Sequence, residues 1–172
     1  RIAELEIDPA QLDFFRKELP GFKEATLRDT ATQIGVRETR RIEGDYELTL
    51  EDLHSGRAFE DVVALCGYPL DIHDPTGSGG GTGGEGPDAA NIYQIPYRVM
   101  VPRIHDGLLV SGRAVSATHE ALSAIRVMPP CFALGQAAGI AAALSVGNRA
   151  SPRHIEYEDL RRELLAQGAY LG

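Results

Sequence analysis

The sequence predicts an α+β fold, and three observations carry that prediction. Apolar residues recur at helical spacing in several separate stretches, short runs of β-preferring side chains lie between them, and glycine and proline mark the joints. Asp8-Pro9 is a helix start, since the acid can cap and proline suits the first helical turn. Leu12, Phe15 and Leu19 then repeat at helical spacing until Pro20-Gly21 ends the element. Residues 25–42 are expected as two extended segments, with Thr26, Thr30, Thr32, Ile34, Val36 and Thr39 supplying the β-preferring side chains.

Gly44-Asp45 is read as a turn and Tyr46–Leu48 as a return strand. Thr49 followed three positions later by Asp52 has the form of a capping box, opening a short helix that ends near Gly56. Val62–Cys66 and Tyr68–Ile72 are short strand candidates. Ile95–Pro102 is a further extended run bracketed by prolines, and Gly107–Gly112 has the pattern of a short buried strand leading into a glycine turn. A connection from Arg113 to Met128 follows. Pro129-Pro130 opens a Gly/Ala-rich helix to about Val146, and a last helix carries Leu160 and Leu164 on one face and closes at Gly168.

Composition narrows the possible functions. The chain has 172 residues, 43% of them hydrophobic and 24% charged, which is ordinary for a globular protein. A net charge of −8 disfavours nucleic acid and anionic membrane surfaces as partners. Cys66 and Cys131 are too few for a disulfide framework or a cysteine-rich zinc site, and both lie in apolar runs. The opening Arg1–Asp8, without Met or an apolar leader, is expected of a segment from within a longer protein; localisation is not readable from it.

The stretch Gly77–Gly86 formally contains G-x-G-x-x-G twice. That fingerprint binds phosphate only between a strand and a helix start. Here Asp74-Pro75 precedes it and Pro87-Asp88 follows, so a surface loop is expected.

The Gly/Ala helix is the element that points to chemistry. Val127 to Gly147 has no charged residue, but two prolines, Gln136, and Ala and Gly in place of Leu and Ile make a weak membrane span. Gly135, Gly139 and Ala143 form a stripe of small residues, and each helical glycine costs about 1 kcal/mol against alanine. Close approach of a sheet or of a ligand would explain the stripe equally well. The helix start offers free N–H groups at the positive end of the macrodipole, Arg126 stands just before it, and no acidic side chain occurs from Ala121 to Gly147. Such an end suits an oxyanion or an electron-rich ligand edge.

The string Leu108 to Leu144, LLVSGRAVSATHEALSAIRVMPPCFALGQAAGIAAAL, resembles the C-terminal flavin motif of FAD-dependent oxidoreductases in the glutathione-reductase-like superfamily, most of all a bacterial family of that name. Gln33–Tyr46, Asp71–Asp74 and Ile95–Arg98 are similar to the same family, so the resemblance runs from about residue 20 to Leu171. It implies FAD as cofactor and a small-molecule substrate. It also implies a substrate-side antiparallel sheet segment with an N-terminal helix over 1–76, a glycine loop over 77–90, and the last strand and Gly/Ala helix of an FAD-binding α/β domain over 91–172. By position, Gly112 and Arg113 should follow the ribityl or diphosphate part of FAD, and Arg126, Val127, Met128, Pro129 and Pro130 the pyrimidine edge of its ring. The family's dinucleotide-binding fingerprint is absent from these residues and is expected in an N-terminal half that this chain lacks.

Among candidate catalytic residues, His119 is of the type that can give or take a proton beside a hydride-transfer site, with a loop histidine bonded to backbone as the plainer alternative. Arg126 and Arg98 are the other candidates, Arg98 because it resembles an inward-facing family position. Arg37, Arg40 and Arg41 alternate with Glu38, which fits either salt bridges between strands or a clamp for an anionic substrate, led by Arg37. His73 in Asp71–Asp74 is a substrate-side candidate or part of an ordered turn; no metal is expected there, because two further ligands are not apparent. The competing readings are a non-catalytic interaction domain and a scaffold subunit that completes a flavin site with a separate polypeptide.

Overall fold

Local capping and apolar spacing set most element boundaries in the computed structural model, which describes residues 9–29, 32–33, 35–72 and 92–172. The Asp8 cap, Thr30, Ile34, His73 and the glycine loop lie outside the described residues. The chain divides into two units, Arg1–Val36 and Arg37–Gly172.

In the first unit, helix α1 (Pro9–Glu18) carries Arg16 and Lys17 in its last turn, where the negative end of the macrodipole favours them. Arg16 Nε donates to the Ala25 carbonyl at 2.9 Å, tying the following loop back to the helix. Phe15 meets Phe14 and Phe22 with ring centroids 6.0 Å apart in each pair. The extended segments expected over 25–42 form no strand among the described residues. Leu27 and Val36 are exposed, and β-preferring side chains without a neighbouring strand to bury them do not make a sheet.

The second unit begins with α2 (Leu50–Ser55), and here the sequence reading holds in detail. Thr49 Oγ1 accepts from the Asp52 N–H, the Asp52 carboxylate accepts from the Thr49 N–H, and Gly56 closes the helix in the left-handed region. Strand β1 (Val62–Cys66) pairs antiparallel with β2 (Tyr93–Pro96) in the register Cys66↔Tyr93, Leu65↔Gln94, Ala64↔Ile95, with an irregularity before Val62↔Pro96. Chain 97–100 turns into a 3₁₀ helix, so the extended run expected to Pro102 ends at Pro96.

Three further expected strands are not strands. Over Tyr68–Ile72, proline at 69 removes a donor, the Tyr68 N–H points to Cys66 Sγ, and the Asp71 N–H donates to Ser123 Oγ at 3.3 Å. These two N–H groups go to side chains, and Ile72 makes an isolated bridge rather than part of a ladder. Gly107–Gly112 keeps one ladder bond, Val110 N–H to the Met100 carbonyl at 2.9 Å, and Leu108 is exposed. Tyr46–Leu48 likewise contributes only a bridge, Leu48 with Ala117, beside Gly44 with Pro102.

The connection after residue 113 contains an unexpected helix, α3 (His119–Ile125), capped by Thr118 Oγ1 accepting from the Ala121 N–H. Helix α4 (Met128–Asn148) packs on β1, and α5 (Tyr157–Ala166) packs on α4 through the buried Leu160 and Leu164. The core gathers Leu48, Leu53, Tyr93, Ile95, Leu122 and Leu134 among others.

The packing face of α4 differs from expectation. Pro130, Leu134, Ala137, Ala141 and Ser145 are buried. Gly135, Gly139 and Ala143 face outward, and a Cβ added at Gly135 or Gly139 would meet nothing within 4 Å. Phe132 and Val146 on the open side are 71% and 81% exposed. By length and composition α4 could cross a membrane, although in this fold one face of it forms core.

Candidate functional site

A two-residue corner places the central side chain of the site. Arg126 is the C-cap of α3, its N–H bonded to the Leu122 carbonyl, and Val127 is at once the N-cap of α4. Because α3 buries Ala121 to Ile125 as a block, the corner is held from beneath and the Arg126 side chain has little freedom. That side chain is 9% exposed. Its NH2 donates to the Asp71 carbonyl at 2.5 Å and its NH1 to Glu38 Oε2 at 3.4 Å. Among the described residues its Nε is buried with no partner, a donor left unsatisfied at a cost of roughly 1–3 kcal/mol.

Glu38 is a hub the sequence reading did not single out. Its Oε1 accepts from Arg41 NH1 at 2.7 Å, and its Oε2 lies 2.9 Å from His119 Nδ1. His119, Arg126 and Arg41 thus share the Glu38 carboxylate, with the His119 side chain 53% exposed. The signal for Glu38 was its position between Arg37 and Arg40-Arg41, but only the fold brings it to residues 81 and 88 positions away.

Two cavities meet over the start of α4. One, of about 350 Å³, is lined by Arg37, Tyr68, Asp71, Arg113, Arg126, Val127 and Met128. The other, of about 390 Å³, is lined by Leu65, Cys66, Gly67, Tyr68, Pro69, Val127, Pro129 and Pro130. Tyr68 and Val127 border both, so they form a groove with a cationic end and an apolar end. The α4 start has no side-chain cap and no acidic residue in its first turn, and prolines occupy its first positions. Gly112, at φ +72°, opens the 3₁₀ turn that carries Arg113 to the groove, a conformation that side-chain-bearing residues avoid.

The structure therefore gathers Arg37, Arg113, Arg126, Val127, Met128, Pro129 and Pro130 of the expected site residues, with Gly112 directly behind Arg113. Arg98 is not among the lining residues. Its guanidinium grips Asp61 in a two-pronged pair, Nε to Oδ2 at 2.9 Å and NH2 to Oδ1 at 3.1 Å, and stacks on the Tyr46 ring. The bonds to Asp61 hold Arg98 above even the ordinary guanidinium pKa. Near the α4 start, burial pushes the Cys131 thiol up, so it is a protonated side chain rather than a nucleophile. Among the described residues no group of three His, Cys, Asp or Glu side chains stands together as a metal site.

A family model for FAD dependent oxidoreductases matches residues 3–164 of this chain. No curated protein and no solved structure matches it.

Proposed function

The chain belongs to the FAD dependent oxidoreductase family, whose cofactor is FAD, and we propose that it supplies the flavin-side half of a site for hydride exchange with a small-molecule substrate. The observation that carries this reading is the corner at Arg126-Val127. A buried guanidinium with an unspent Nε stands beside an uncapped helix start, and both border a groove with an apolar floor. These residues fit the group. A flat ring system finds apolar surface at Leu65, Pro69, Pro129 and Pro130, and its polar edge finds the positive end of α4 and Arg126.

When bound, FAD supplies the two-electron chemistry; the protein supplies placement and charge. Val127 and Met128 present the helix end, Arg113 approaches from the Gly112 turn, and Glu38 helps to orient Arg126. His119, tethered through Nδ1 to Glu38, is the candidate proton donor or acceptor, with Nε2 as the working atom. Arg98 is better explained as a strut for Asp61 and Tyr46 than as a catalytic group. The glutathione-reductase-like and bacterial assignments belong to the same proposal, as does the division into a substrate-side segment, a glycine loop and a flavin-side segment.

The dinucleotide cradle belongs to a second half, joined to this chain or carried by a separate polypeptide. The outward Gly135, Gly139 and Ala143 stripe on α4 supports such a covering partner.

The test is titration of FAD and of riboflavin into the chain, followed by flavin fluorescence. Both should quench with affinities within roughly threefold, since the diphosphate adds little without its cradle, and the colour should not survive gel filtration. A stoichiometric yellow protein after gel filtration would overturn the two-half reading. Absence of quenching by either ligand would overturn the flavin-edge reading.

A further inference from the structure

The backbone of Tyr68 is engaged on both sides, and its ring is not. The Tyr68 N–H donates to Cys66 Sγ at 3.5 Å, and the Tyr68 carbonyl accepts from the buried Tyr93 hydroxyl at 2.8 Å. Pro69 follows, and proline confines the residue before it to extended conformations. The main chain is therefore fixed here, which sets where the side chain leaves it. Tyr68 is nevertheless 42% exposed, and among the described residues its ring and hydroxyl have no hydrogen bond or ring contact.

Tyr68 borders both cavities of the groove, the one that holds Arg126 and the one walled by Pro129 and Pro130. No other aromatic side chain lines either cavity among the described residues. The chain has no Trp and six Tyr. Tyr46, Tyr97 and Tyr157 spend their hydroxyls on Asp52 and on the carbonyls of Pro152 and Val62. Tyr93 is 1% exposed, and Tyr170 is outside both linings. A ring presented without partners, where a polar and an apolar compartment meet, matches a flat ligand with one polar and one apolar end.

We propose that Tyr68 is the stacking residue of this groove and lies against a face of the isoalloxazine ring. This rests on reading the groove as the flavin site. Stacking uses the faces of both rings, so it recognises a conjugated plane whatever its substituents. A tyrosine gives up only two torsions to make the contact, and here the main chain is fixed before the ligand arrives. Tyr68 thus holds the ring by its face, while Arg126 and the start of α4 address its polar edge. The phenol also leaves a signature. In contact with a photoexcited flavin it passes one electron to the ring and recovers that electron on recombination, so the fluorescence is extinguished and nothing is consumed. Phenylalanine stacks as well but is not oxidised.

Riboflavin is the probe, its affinity for the chain read by equilibrium dialysis and the fluorescence lifetime of the bound fraction read separately. Wild type should hold riboflavin dark. Tyr68→Phe should bind it within about twofold of wild type and leave it bright. Tyr68→Leu, which keeps apolar bulk and removes the ring, should weaken binding about fivefold or more. Tyr170→Phe should leave both readouts unchanged. Circular dichroism of each variant checks that the fold is kept.

A Tyr68→Phe complex as dark as wild type would overturn the proposal, and so would wild-type affinity in Tyr68→Leu. Equal losses of affinity in the Phe and Leu variants would assign the contact to the hydroxyl and overturn it too, as would a bright Tyr170→Phe complex. Riboflavin binding that ignores residue 68 removes the stacking residue and leaves the flavin reading. No riboflavin binding in dialysis removes both.

Discussion

The N-terminal ends of α2 and α4 are built in opposite ways. At α2 the chain satisfies itself: Thr49 and Asp52 close a reciprocal box, Tyr46 OH donates to the same carboxylate at 2.8 Å, and Arg57 NH1 reaches it at 3.2 Å. At α4 the cap position is Val127, which offers no side-chain acceptor, and the positive charge nearby is that of Arg126. The first end is saturated and structural. The second has no side-chain cap where it borders a groove; Pro129 and Pro130 carry no N–H and the Cys131 N–H is spent on the Val127 carbonyl, so what it offers an anionic ligand edge is the Met128 N–H and the positive end of the macrodipole.

The largest effect should come from breaking the saturated end. Asp52 is buried, and burial alone would raise its pKa. The Thr49 N–H, the Tyr46 and Thr49 hydroxyls and Arg57 outweigh that and hold it below its usual value. The Tyr46 phenol is pushed up to about 12 by burial and by its bond to Asp52, so it remains a donor throughout the physiological range. A carboxylate depressed in the folded state stabilises at neutral pH, and the contribution is lost as pH falls through the depressed value. Asp52→Asn should therefore cost about 1–3 kcal/mol at neutral pH in chemical denaturation. The gap from wild type should close in the acid range below the ordinary carboxylate pKa. A gap that stayed constant with pH would mean that the box acts through shape rather than charge.

An intermediate effect, of opposite sign, is expected on the open side of α4. Gly139→Ala meets nothing within 4 Å, so it should stabilise the chain by about 0.5–1 kcal/mol through helix propensity alone. Destabilisation in thermal melting would show that the stripe is covered already in this chain. Stabilisation accompanied by weaker assembly with a dinucleotide-binding half would locate the covering partner on that face.

The smallest effect on stability tests the open end directly. Met128→Asp places an acid in the first turn of α4 and should raise stability by about 0.3–1 kcal/mol if charge at that end is the only consideration. In the FAD-loaded protein the same carboxylate opposes the negative charge gained on reduction. The two-electron potential should fall by roughly 20–45 mV relative to Met128→Gln. Equal potentials for the two variants in a spectroelectrochemical titration would break the contrast between the two helix ends.

Much of this was readable along the chain, for reasons that are local. The Thr49/Asp52 box, the Gly56 stop, strand Val62–Cys66, the proline-opened α4 and the Leu160/Leu164 face of α5 each depend on residues within a turn or two of one another. So do the residues of the α4 start and Arg126, which the corner places together because they are consecutive. Tertiary structure decided the rest. Gly107–Gly112 and Tyr68–Ile72 have strand-like composition, but a strand exists only where a neighbour accepts its hydrogen bonds, and here those go to a single carbonyl and to side chains. The stripe of small residues on α4 advertised close packing, yet the larger Leu134 with Ala137 and Ala141 took the core, because burial follows apolar area once a sheet is present to receive it. Glu38 and Asp71 became partners of Arg126, and Glu38 of His119, only through contacts spanning 55 residues or more of sequence, and charge pairing over such distances follows from where folded segments come to rest, which no local pattern encodes.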